Sequence, residues 1–128
     1  MKKSIMTIRV ATYESCMLQS SDSSVVMIPF SAEAEGEYFS GKTLMNGVDT
    51  QITAEGRFSL SARYMLEGTD CSGKKCRLFI ENNGTSLDNC RPKIFTDSSE
   101  LAFLEKADLS AAAECVEHGV IIHIYQNC

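Results

Sequence analysis

The chain has 128 residues, 44% hydrophobic and 23% charged, which places it in the range of one globular domain (1–128) and excludes wholesale disorder. Its net charge of −5 and pI near 5.0 exclude nucleic acid as a partner, because phosphate binding needs a clustered basic surface. No apolar run approaches the length of a membrane-spanning helix, so no membrane partner is expected.

Lys2-Lys3 resembles the start of a signal peptide, but Arg9 interrupts the run that follows, and the chain reads as cytoplasmic. The first strand follows, with Met6, Ile8 and Val10 on one face. Val26, Ile28, Phe30, Ala32 and Ala34 share a face of the second, where Pro29 lacks a donor and implies an edge or a bulge. Asn46-Gly47 is a turn signal, since both residues tolerate positive φ. Beyond it Val48, Thr50 and Ile52 alternate with Asp49 and Gln51, with the apolar set expected inside.

The clearest alternation lies at 57–67. Phe58, Leu60, Ala62, Tyr64 and Leu66 interleave with Arg57, Ser59, Ser61, Arg63 and Glu67, the mark of a strand with one buried face. In 75–82, Cys76, Leu78 and Ile80 oppose Lys75, Arg77 and Glu81, and Asn83-Gly84 reads as a second turn. Asp97-Ser98-Ser99-Glu100 has the form of a capping box, with Asp97 as N-cap of a short helix over Leu101–Lys106. Segment 109–117 reads as strand. Near the C-terminal end, Val120, Ile122 and Ile124 oppose Ile121, His123 and Tyr125, so this strand is apolar on both faces and is expected to be covered on both. Short strands separated by regular turns, with one short helix near the C-terminal end, give an all-β antiparallel β-barrel.

Chemistry is harder to place. The six cysteines are expected to be free thiols, with a Cys71–Cys76 bridge as the main alternative and metal below it. His118 and His123 have opposite strand parity, so they share no metal site on that strand. No nucleophile elbow, dinucleotide fingerprint or P-loop occurs, and no cofactor is expected. What remains is a polar cluster of Asp49, Gln51, Arg63 and Glu81. If the apolar sets line the interior, these four decorate the outside, at opposite parity to Tyr64; in a wide barrel covered by a partner they line a cavity instead. The plain alternative is a set of cross-strand surface pairs worth at most about 1 kcal/mol each.

A family resemblance bears on the same residues. Gly36-Glu37-Tyr38-Phe39-Ser40-Gly41 with Gly47-Val48-Asp49-Thr50-Gln51, then Leu60-Ser61-Ala62-Arg63-Tyr64 and Ile80-Glu81-Asn82-Asn83-Gly84, resemble the uncharacterised family known as domain of unknown function 3237. Phe95-Thr96-Asp97-Ser98 with Leu101-Ala102-Phe103-Leu104 resembles its second block. The resemblance implies an up-and-down, calycin-like barrel, a homo-oligomer, and ligand-site candidates at Asp49, Gln51, Arg63, Tyr64, Glu81 and Asn82. Three functions follow as expectations. The first is a barrel that binds a small polar or amphipathic ligand. The second is a cofactor-independent enzyme acting on a carbonyl or carboxylate compound, with Arg63 holding the anion, Asp49 or Glu81 as base and Tyr64 as acid. The third is a homodimer joined through its outer apolar wall.

Overall fold

A computed structural model describes residues 1–128 and shows ten strands: β1 (Lys2–Thr12), β2 (Cys16–Gln19), β3 (Ser23–Glu35), β4 (Phe39–Thr43), β5 (Gly47–Ala54), β6 (Arg57–Asp70), β7 (Lys75–Ser86), β8 (Asn89–Thr96), β9 (Leu109–Val116) and β10 (Gly119–Asn127). Every pairing is antiparallel, and most join neighbours in sequence. β4 and β5 lie end to end between β3 and β6, and β1 pairs with both β3 and β10. That double pairing closes an up-and-down barrel of 8 strands. Closure removes the sheet edges a flat sheet would expose. Only β2 stays outside the ring, paired with the first half of β3. No helix is long and apolar enough to cross a membrane.

The period-two patterns translate into inner faces. Leu60, Ala62, Tyr64 and Leu66 of β6 are buried, as are Leu78 and Ile80 of β7 and Ile94 of β8. Phe30 and Tyr64 meet edge to face, with ring centroids 5.1 Å apart. Between Ser4 and Met6 a bulge in β1 sends both Ile5 and Met6 inward. Pro29 sits where β3 changes partner, after the β2 pairing ends at Met27 and before the β1 pairing begins at Phe30. Its missing donor costs the ladder nothing there.

One end of the barrel is plugged. The short helix is a single 3-10 turn, Ala102–Glu105, preceded by Leu101 and without a side-chain cap. In 3-10 geometry residues three apart eclipse, which sets Leu101 and Leu104 on one face, both buried under the strands. Asp97 is therefore not a helix cap. Its Oδ1 accepts the Arg77 backbone N–H at 2.8 Å and fastens the start of β7. Asp70 holds the same end: its carboxylate accepts from Ser72 Oγ at 2.6 Å and from Ser98 Oγ at 2.7 Å. These bonds hold its carboxyl down at about 2.

Asn83-Gly84 is not a turn. β7 runs through it, and the reversal comes at Leu87-Asp88. Gly84 is there for closeness, since an added Cβ would lie 2.6 Å from Cys90 Sγ and 2.7 Å from Asn89 O, next to a register shift. Left-handed backbone occurs instead at Glu55-Gly56 and at His118. All six cysteines are free.

Candidate functional site

The register of β5 decides where the polar cluster stands. Asp49 lies opposite Ala62 and Gln51 opposite Leu60, and Gly47 lies against Tyr64. Ala62, Leu60 and Tyr64 face the interior, so Asp49 and Gln51 do too. Ala62 in turn lies opposite Asn82 on β7. Asp49, Ala62 and Asn82 thus form one row across the inner wall. This reverses the expectation from the sequence, which put Val48, Thr50 and Ile52 inside and Asp49 and Gln51 at opposite parity to Tyr64. The cause is local. β5 lines the half of the barrel left unfilled by the plug, where a polar residue can stand on a cavity wall, and Ile52 faces outward, 40% exposed.

Gly47 fixes that register. An added Cβ would come within 2.6 Å of Tyr64 Cβ and 2.8 Å of Phe30 Cζ, so the edge-to-face pair needs a bare backbone beside it.

Arg63 and Glu81 stand apart from this row. They pair across β6 and β7 on the outer face, with Arg63 Nε 3.1 Å from Glu81 Oε2 and two-thirds of the Arg63 side chain exposed. Asn83 Nδ2 donates to Glu81 Oε1 at 2.9 Å. Of the six candidates, then, Asp49, Gln51, Tyr64 and Asn82 point in, while Arg63 and Glu81 form a surface ion pair.

Above the row lies a cavity of about 210 Å³, lined by 15 residues of which 11 are hydrophobic. Val10, Ile28, Phe30, Leu60, Val120 and Ile122 supply much of its apolar wall, and Thr12, Asp49, Gln51 and Asn82 its polar positions. By comparison, an apolar cavity of about 150 Å³ is enough to hold a benzene. The space suits a molecule somewhat larger than one ring.

Electrostatics at the row is unbalanced. Burial pushes the Asp49 carboxyl above its ordinary range, and a hydrogen bond from Gln51 Nε2 to Asp49 Oδ2 at 3.0 Å only partly offsets this. Asp49 Oδ1 and Asn82 Oδ1 are buried without any hydrogen-bond partner, and so is the Tyr64 hydroxyl beneath. Buried polar atoms are nearly always paired, so these are exceptions. Burial drives the Tyr64 phenol far up, so it stays protonated throughout the ordinary pH range. No group of three or more His, Cys, Asp or Glu side chains is placed to hold a metal ion.

Five wall residues escaped the sequence reading: Thr12, Leu87, Cys90, Ala113 and Cys115. The alternation Cys90, Pro92, Ile94 against Arg91, Lys93, Phe95 marks β8 as a half-buried strand and would have placed Cys90 inside. Its thiol is pushed up by burial and by the negative charges of Asp49 and Asp88, and it donates to Ser86 O at 3.2 Å. It serves as wall, not as nucleophile.

The chain matches no family model and no curated protein. Solved structures do resemble it. A protein of unknown function from Clostridium acetobutylicum superposes with a TM-score of 0.81 at 22% identity, covering 98% of this chain and 95% of that one. A beta-barrel like protein from Acinetobacter baumannii gives 0.74 at 18% identity, covering 98% and 95%. A protein described as an enzyme from Penicillium herquei gives 0.79 at 11% identity, covering 98% and 92%. At such identities the likeness establishes the barrel and nothing finer.

Proposed function

We propose that this chain binds a small, largely apolar molecule inside the barrel and orients it by one polar group set on the Asp49–Ala62–Asn82 row. One observation carries the reading: Asp49 and Asn82, each with a buried side-chain oxygen that has no partner, stand on either side of the Ala62 methyl in the wall of an otherwise apolar cavity. Such a wall is the usual composition of a ligand site, with apolar bulk and few polar groups for orientation. The shared order of motifs supports placing the chain with the domain of unknown function 3237 proteins.

Benzyl alcohol is a fitting probe, and Ala62→Leu a fitting block, because Ala62 is the floor between the two oxygens. We expect saturable binding by equilibrium dialysis that Ala62→Leu abolishes while circular dichroism stays unchanged. Binding that survives in a folded Ala62→Leu protein would place the ligand elsewhere and sink the reading.

The raised Asp49 carboxyl favours a second reading, in which Asp49 takes a proton from the bound molecule. The Penicillium herquei neighbour, described as an enzyme, lends this some support. The anion-holding role expected of Arg63 drops out, since Arg63 faces solvent beside Glu81. Titrating Asp49 by carboxyl-carbon NMR tests it. A pKa in the ordinary carboxylate range removes the base.

We propose a surface for self-association besides the one expected on β10. Ile121, His123 and Tyr125 of β10 are only half-exposed. The broader outer apolar stripe is Met65, Phe79 and Phe95, side by side across β6, β7 and β8, with Phe95 54% exposed. Rows of mixed charge flank it, Arg63 and Glu81 with Lys93 on one side, Glu67 and Arg77 on the other. A second copy turned about a two-fold axis would set stripe on stripe, with opposite charges available along both borders. Light scattering should report a dimer that Phe95→Glu dissociates; a monomer at all concentrations contradicts this.

A further inference from the structure

The chemistry of the bare oxygens says more about the ligand than that it is small. Asp49 Oδ1 and Asn82 Oδ1 are both acceptors, neither has a donor, and their residues line the cavity along one row. The bound group must therefore bring hydrogen-bond donors. A carboxylate or phosphate brings none, and it would add a negative charge beside Asp49.

The cavity also holds no positive charge. None of its lining residues is Lys, Arg or His, and Asp49 makes no ion pair. Arg63 is one residue along β6 from Ala62, but its guanidinium turns outward to Glu81. Asp49 has already been taken partly out of water by folding, so that share of its desolvation is a cost of the empty protein and not of binding. A cationic ligand meets that carboxylate with only its own desolvation still to be met. Among donor groups, a neutral hydroxyl has one hydrogen to give, whereas an ammonium has three hydrogens and the charge that Asp49 lacks.

We propose that the cavity takes a small primary amine with an apolar body, its ammonium group set between Asp49 Oδ1 and Asn82 Oδ1. This rests on reading the cavity as a ligand site. Gln51 acts as a positioning residue here: by donating to Oδ2 it leaves Oδ1 as the unpaired oxygen of the carboxylate. The apolar residues of the wall enclose the body of the molecule, and the site discriminates against anions by an unpaired buried charge of like sign.

The test compares three probes of one shape on the whole chain near neutral pH: benzylamine, benzyl alcohol and benzoate. Isothermal titration should show benzylamine binding at least about tenfold more tightly than benzyl alcohol, a gap of one ion-assisted hydrogen bond. Benzoate should show no heat of binding. In Asp49→Asn the ratio of benzylamine to benzyl alcohol affinity should fall to about one. Equal binding of benzylamine and benzyl alcohol to the wild-type protein overturns the amine and leaves the ligand site standing. A preference for benzylamine that persists in Asp49→Asn places the ammonium elsewhere and also overturns it. If none of the three binds, the ligand-site reading falls and the amine with it.

Discussion

Asp49 is held in the barrel wall with one carboxylate oxygen bonded to Gln51 and the other to nothing. Because burial raises its pKa, the folded chain binds this proton more tightly than the unfolded chain does. Ionising it in the fold therefore costs stability. The penalty is absent below the ordinary carboxylate pKa, grows as pH rises toward the raised folded value, and is complete above it. We expect Asp49→Asn to raise the melting temperature at neutral pH and to give no gain in acid; a loss at neutral pH contradicts the assignment. Asp70 has the opposite sign. Its pKa lies at about 2 against an ordinary 3.8, so its contribution is present above the ordinary value and fades as pH falls toward the folded one. Asp70→Asn should lower the melting temperature at neutral pH, with the deficit closing in acid. For the outer pair, Arg63→Ala should cost at most about 1 kcal/mol and leave ligand binding untouched, as expected of a surface ion pair. These residue types were legible in the sequence as a cluster. Their split between inside and outside was not, because a polar residue on a strand is taken as solvent-facing unless a cavity is already known to lie behind it.

At the scale of elements, β6 was the most legible, since its apolar set meets core along its whole length and the period-two rule needs nothing else. β5 fails the same rule. Its inner face passes from core at Gly47 to cavity at Asp49 and Gln51, and its outer face carries Val48 and Ile52, so hydrophobicity alone inverts it. Gly47 was the better signal, read as a close approach and not as a turn. Gly47→Ala should cost about 1–3 kcal/mol by overpacking against Tyr64 and Phe30, as chemical denaturation would measure. An unchanged midpoint would mean the aromatic pair has room to move. Asn83-Gly84 misled for a related reason: a glycine needed for closeness to Cys90 looks the same in sequence as one needed for a turn. Capping chemistry misled at Asp97, whose carboxylate serves β7 across the sheet.

The whole molecule is a barrel with unequal ends. Leu101 and Leu104 fill one end beneath the strands, and the residues around Phe39, Leu66, Leu78 and Ile94 are fully packed there. Toward the other end the interior gives way to the cavity, bounded mostly by apolar residues, with Thr12, Asp49, Gln51 and Asn82 as its polar positions. Leu78→Ala in the packed half should cost about 2–5 kcal/mol, the usual loss for a large buried aliphatic side chain. The packed core and the cavity thus belong to different halves of one closed sheet. The barrel itself could be read from strand spacing and turns; the cavity could not, because its existence depends on how far the plug reaches up the interior.

A ligand in the cavity should meet the inward row of β5, β6 and β7. The side-chain amides of Gln51 and Asn82 report on it directly in a proton–nitrogen correlation spectrum titrated with benzylamine. We expect both amide pairs to shift with a single saturating curve, together with the backbone amide of Ala62, while the side-chain amide of Asn83 beside Glu81 stays still. Shifts confined to Asn83 and its outer-face neighbours, or none at all, would contradict the account.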